Sequence, residues 1–117
     1  MSQYTIYHNP RCSKSRQTLA LLEAAGIEPA VVKYLETPLD AETLEALVDK
    51  LGITPRELLR KGEEEYKSLE LARPDLSDRH LIDAMAVHPR LIERPIVVKG
   101  ARAVLGRPPE NVQELID

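Results

Sequence analysis

Apolar positions along this chain change their spacing several times, and each change marks an element. Tyr4-Thr5-Ile6-Tyr7 is a β-branched and aromatic run, as a strand prefers. Asn9-Pro10 signals a turn. From Ser13 onward Leu19, Leu22 and Ala25, with Leu21 beside them, recur at helical spacing, and Gly26 falls where a C-terminal cap belongs. Residues 28–35, rich in Val with Tyr34 and Leu35, predict a second strand. Asp40 is a good N-cap for a helix over about 41–51 with Leu44, Leu47, Val48 and Leu51 on its apolar face. Thr54-Pro55-Arg56-Glu57 has the form of a capping box with proline at the first helical position, and Gly62 ends the short helix it starts.

Periodicity weakens over the acidic residues 63–76, where we expect only a helical turn over Glu64–Leu71 and then a loop. Ser77 caps a predicted helix over 78–88 with Leu81, Ile82, Met85 and Ala86 inward, and Pro89 lies beyond its end. Residues 95–99 and 101–105 predict two strands joined through Gly100, a hairpin by spacing. Pro108-Pro109-Glu110 opens a last predicted helix carrying Val112, Leu115 and Ile116. No repeat, linker or low-complexity tract interrupts the chain. The order is β-α-β-α, a helical insert, then β-β-α. That is an α/β, thioredoxin-like arrangement (β-α-β … β-β-α) with a mixed sheet and an all-helical insert, about 41–92, between the second and third strands. We expect one domain over 1–117.

Composition narrows the class. A chain of 117 residues with 43% hydrophobic and 30% charged content suits one ordinary soluble domain. Without Phe or Trp, Leu, Ile, Val and Ala must fill the interior. No stretch reaches the roughly 20 apolar residues of a membrane span, and the N-terminus lacks a signal-peptide layout. One cysteine forms no internal disulfide and holds no structural zinc, which points to a reducing cytoplasm and to no bound metal. The net charge of −3 argues against nucleic acid as a partner. Its distribution says more. Residues 1–22 carry Arg11, Lys14 and Arg16 with no acid, and residues 94–109 carry Arg94, Lys99, Arg102 and Arg107 with no acid. Brought together, those stretches would form a pocket for a small anion.

Cys12 stands at the junction of turn and helix. Free N–H groups and the positive end of the dipole favour an anion there, so its thiol should ionise below the model value of roughly 8.5. A free cysteine is often just a small buried hydrophobe, but Arg11, Ser13 and Lys14 are poor company for a core residue. The phosphatase loop, cysteine followed by arginine six places on, is absent because Thr18 holds that position. On spacing alone, Arg60 reads as a solvated helix residue, Arg94 and Arg107 as exposed strand-end residues, and His8 as a polar strand terminus. His80 and His88 lie on or beside a surface helix, and Glu63-Glu64-Glu65 reads as a solvated acidic run.

Residues 7–16, Tyr-His-Asn-Pro-Arg-Cys-Ser-Lys-Ser-Arg, resemble the opening of the ArsC family, the glutaredoxin-coupled arsenate reductases. Residues 34–38, 58–61 and 91–98 match in register, and Arg107-Pro108 completes the pattern, so the resemblance covers about 3–108. It implies the thioredoxin-like fold. It further implies Cys12 as nucleophile, Arg60, Arg94 and Arg107 as the groups that bind and orient the oxyanion, and His8, Ser15 and Arg16 as supporting residues. It also implies a cis bond at Arg94-Pro95, where the third strand opens facing the cysteine.

The reaction so implied is attack of Cys12 on arsenate, with release of arsenite. Lacking a second cysteine, the chain needs an outside thiol. The resemblance supplies glutathione as co-substrate and glutaredoxin as the partner that resolves the mixed disulfide, with no bound cofactor. Two other classes share the fold. Spx-type regulators bind RNA polymerase, many through a Cys-x-x-Cys switch whose fourth position here is Ser15. A glutathione-dependent thiol reductase would use Cys12 without the arginines.

Overall fold

The computed structural model describes residues 3–116. In chain order it contains β1 (Tyr4–Tyr7), α1 (Ser13–Ala24), β2 (Ala30–Val32), α2 (Ala41–Leu51), α3 (Pro55–Leu58), α4 (Glu64–Ser68) and α5 (Asp78–Val87). A 3₁₀ turn over Pro89–Leu91 leads to β3 (Ile96–Lys99) and β4 (Arg102–Leu105), and a 3₁₀ helix over Pro109–Leu115 closes the chain. The polypeptide divides into two units. One comprises the chain up to Thr37 and from Arg94 on, the other Pro38–Glu93.

The first unit is built on a four-stranded sheet in the order β2-β1-β3-β4. β1 runs parallel to β2 and antiparallel to β3, and β3 and β4 form the hairpin. Ile6 pairs with Val31 on one side and Val97 on the other, and Val97 pairs with Val104. Ile6, Leu22, Val97, Val112 and Leu115 form its core, and α1 packs against the closing 3₁₀ helix. Fully burying such a side chain contributes about 1.5–3 kcal/mol, so these residues fix which face of the sheet α1 covers. The hairpin turns on Gly100, whose φ of +61° is open to glycine at little cost, with Lys99 opposite Arg102.

The elements expected from the sequence are present, with four differences. The short helix expected to run to Gly62 ends at Leu58, because Leu59 turns extended and bridges Ile92, which leaves Arg60 outside it. β2 is three residues rather than eight. Pro29 has no N–H for the ladder, and the backbone turns at once after Val32, the N–H groups of Glu36 and Thr37 both donating to the Lys33 carbonyl. The closing helix is 3₁₀ rather than α. Its first bond runs from Asn111 to the Pro108 carbonyl three residues back, while the Asn111 amide side chain is tied to the Leu105 and Arg107 carbonyls. The turn expected over Glu64–Leu71 stops at Ser68, since Glu70 takes a left-handed φ of +53° and Leu71 bonds back to Tyr66.

The second unit is helical. Asp40 caps α2 through Thr43, Thr54 and Glu57 form the reciprocal box at α3, and Ser77 caps α5 through His80. α5 packs on α2, α3 and the Pro89–Leu91 turn, and Leu44, Leu47, Leu58, Leu81, Met85 and Leu91 are buried. Leu59 and Ile92 form an isolated antiparallel bridge that ties the end of α3 to the residue after the Pro89–Leu91 turn.

Candidate active site

Helix α1 begins without a conventional cap. Its N-cap residue is Cys12, in extended conformation, and no acidic residue occupies the first turn. Normally a serine or aspartate oxygen would accept the free N–H groups two and three residues on. Here the sulfur takes that place, facing the backbone N–H groups of Lys14 and Ser15. The loop before it is held tightly. Cys12 N–H donates to the Asn9 carbonyl at 3.0 Å, Arg11 N–H to Asn9 Oδ1 at 3.0 Å, and Arg16 N–H to the Cys12 carbonyl at 3.0 Å. The Arg16 guanidinium reaches the Pro10 carbonyl at 2.9 Å, bracing the same turn.

Below this loop lie the buried polar side chains. His8, Asn9, Ser15 and Thr18 are all buried. His8 Nδ1 sits 2.6 Å from Ser15 Oγ, which also accepts the Asn9 N–H at 3.1 Å. Burial, followed by the positive charges of Lys33 and Arg16, lowers the His8 pKa, so the ring is neutral near pH 7.

From the far end of the chain two arginines arrive. Arg94 and Arg107 each precede a cis proline, Pro95 and Pro108. Arg107 Nη1 is 4.0 Å from Cys12 Sγ and donates to the Arg94 carbonyl at 3.1 Å. Arg94 Nε is buried and donates to no group among the described residues. Burial pushes the Cys12 thiol up, but the Ser15 N–H, the hydrogen bond and charge of Arg94 and the Lys14 N–H outweigh it and hold the pKa below its ordinary value. The result is a half-buried sulfur whose charged form is favoured, with Arg107 beside it and the Arg94 Nε–H left for an anion.

The residues named from the sequence are thus distributed unevenly. Cys12, Arg94, Arg107, His8, Ser15 and Arg16 all belong to the first unit. Arg60 belongs to the second, where its Nη1 pairs with Glu93 at 2.8 Å and its Nε with Glu63 at 3.3 Å. Three residues not singled out as site residues brace the first unit's site. Thr18 Oγ1 donates to the Lys14 carbonyl at 2.8 Å and lies 3.4 Å from the Gly106 carbonyl. Gly106 donates to the Pro95 carbonyl, and a β-carbon there would meet Thr18 and, at 2.8 Å, Pro95 Cγ. Asn111 holds the Arg107 carbonyl. Of these, Gly106, directly before Arg107, is the one whose residue type marks a close backbone approach in the sequence.

Comparison with known proteins gives a consistent picture. The profile of the ArsC family matches residues 7–115. The chain is 56% identical over 115 residues to the Escherichia coli protein YfgD, described as uncharacterized, covering 97% of each chain. It is 50% identical over 112 residues to an arsenate reductase of Haemophilus influenzae, covering 95% of this chain and 97% of that one. A solved arsenate reductase structure from Vibrio cholerae superposes with a TM-score of 0.94 at 55% identity, covering 97% of each chain.

Proposed function

This chain belongs to the ArsC family, and from that premise we propose that it is an arsenate reductase with Cys12 as its nucleophile. The observation that carries the reading is the Cys12 sulfur itself, its pKa lowered at a capless helix start, with Arg107 at 4.0 Å and the Arg94 Nε that bonds to no described residue in the same unit. Guanidinium groups suit an oxyanion because their planar fork donates two parallel hydrogen bonds and stays charged. Arg94 and Arg107 bind arsenate and withdraw charge from it. Arg60, paired with Glu93 and Glu63, is proposed as a third anion ligand on the family resemblance alone. His8 and Ser15 hold the loop, and Arg16 braces it from outside.

In the reaction the Cys12 thiolate attacks arsenic, the S–As bond forms, and one arsenate hydroxyl takes up a proton and leaves as water. An outside thiolate then attacks the Cys12 sulfur. An S–S bond forms, the S–As bond breaks, and its electron pair stays on arsenic. Arsenic goes from +5 to +3 and leaves as arsenite, while each sulfur loses one electron. Glutathione is the outside thiol, and glutaredoxin reduces the mixed disulfide and returns Cys12 to the thiolate. No bound cofactor takes part. A lone free thiol working this way belongs in a reducing cytoplasm.

The test is arsenite production by the purified protein, with glutathione and glutaredoxin omitted in turn. We expect no product without glutathione, and single-turnover yield without glutaredoxin. Cys12→Ser should make none, and full activity in that variant would end the mechanism. A thiol reductase of the same fold would instead keep its activity on mixed disulfides after Arg94→Ala.

A further inference from the structure

Beside the site, on the side of the edge strand β2, the loop after β1 and the turn after β2 enclose a hollow of about 360 Å³. Small-molecule sites run from roughly 300 to 1,000 Å³. His8, Arg11, Lys33, Leu35 and Glu36 line it. Arg11, Lys33 and Glu36 form no ion pair among the described residues, so two positive charges and one negative charge face the same space unmatched. Leu35 adds apolar surface that is 38% exposed.

A buried group opens onto the same hollow. His8 is only 6% exposed. Ser15 Oγ accepts the Asn9 N–H and shares a hydrogen bond with His8 Nδ1 at 2.6 Å, which leaves Nε2 as the ring nitrogen that Ser15 does not use. No described residue bonds to Nε2. The neutral ring therefore presents one unused nitrogen beside Arg11 and Lys33, and through Ser15 it is tied to the backbone N–H that faces the Cys12 sulfur.

We infer that this hollow docks the outside thiol, as a small peptide-like zwitterion carrying two carboxylates and one ammonium. Its carboxylates meet Arg11 and Lys33, with His8 Nε2 beside them, its ammonium meets Glu36, and its methylenes lie on Leu35. Glutathione carries that set of charges. The inference rests on the reductase reading, in which this thiol attacks the Cys12 sulfur, forming the S–S bond as the S–As bond breaks and leaves its electron pair on arsenic.

Two measurements test it. S-methylglutathione, which cannot react, is titrated into isotope-labelled protein and followed by NMR. We expect shifts centred on the amides of Arg11, Lys33 and Glu36, and about tenfold weaker binding in Lys33→Glu, the loss of one charge-assisted contact. In the turnover assay, the ratio of glutathione-driven to 2-mercaptoethanol-driven rate should fall about tenfold in Lys33→Glu. Shifts confined to other surfaces, or binding by Lys33→Glu equal to that of the unaltered protein, overturn the docking site. Binding at the hollow without arsenite formation supports the site and overturns the reductase reading instead.

Discussion

Cys12 occupies the position from which a serine or aspartate usually caps a helix, and its chemistry follows from that substitution. Two backbone N–H groups and Arg94 favour the charged sulfur more than burial disfavours it. Alkylation by iodoacetamide should therefore show a pH midpoint below the usual thiol range, and Arg94→Ala should move that midpoint upward by removing a hydrogen bond and a charge together. A thiol whose folded pKa lies below its unfolded one stabilises the fold fully above the unfolded value. That stabilisation is lost as pH falls through the folded value. His8 follows the opposite chemistry. With its pKa lowered by burial and by Lys33 and Arg16, its imidazole should titrate below the usual histidine range by NMR, and Lys33→Gln should raise the midpoint. Cys12 was legible from sequence because its helix start is local. Arg94 and Arg107 were not legible by spacing, since Arg107 meets the sulfur across 95 residues of chain. Only the family resemblance singled them out.

At the level of elements, caps and turns explain most boundaries, and two positions make the energetics measurable. Glu70 ends α4 in a left-handed conformation that costs an L-residue about 1–2 kcal/mol relative to glycine. Glu70→Gly should thus raise the melting temperature by a few degrees, the gain being offset in part by glycine's greater freedom when unfolded. Gly106 is the reverse case. It lies between Thr18 of α1 and Pro95, so Gly106→Ala overpacks a buried contact and should cost about 1–3 kcal/mol, read as a lower denaturation midpoint. The strands and capped helices were readable because Ile6, Val97, Asp40, Thr54 and Ser77 act through local pattern. The early stop of β2 and the 3₁₀ character of the last helix were not, because the Lys33 turn and the Asn111 amide act through hydrogen bonds that no periodicity encodes.

Across the whole molecule, charge is divided much as the chain is. The first unit holds eight Lys or Arg against six Asp or Glu, the second eight against thirteen, giving +2 and −5. Both basic stretches seen in the sequence belong to the first unit, which also holds Cys12. No helix among the described residues is long and apolar enough to cross a membrane. On the proposed reading arsenate is drawn by guanidinium groups, so its KM should rise several-fold as salt shortens the screening length from about 10 Å at 0.1 M toward 3 Å at 1 M. A KM indifferent to salt would place the anion elsewhere.

The capless start of α1 has one further consequence. Whatever favours an ionised sulfur also makes that sulfur a willing leaving group, since a thiol of lower pKa departs faster from a disulfide. Once a second sulfur is attached, Lys14 and Ser15 lose the anion their N–H groups faced, and the first turn of α1 is left under-satisfied until it returns. In the proposed cycle, turnover is thereby biased forward by the scaffold: the protein is most at rest when empty-handed, and everything it captures is held on loan.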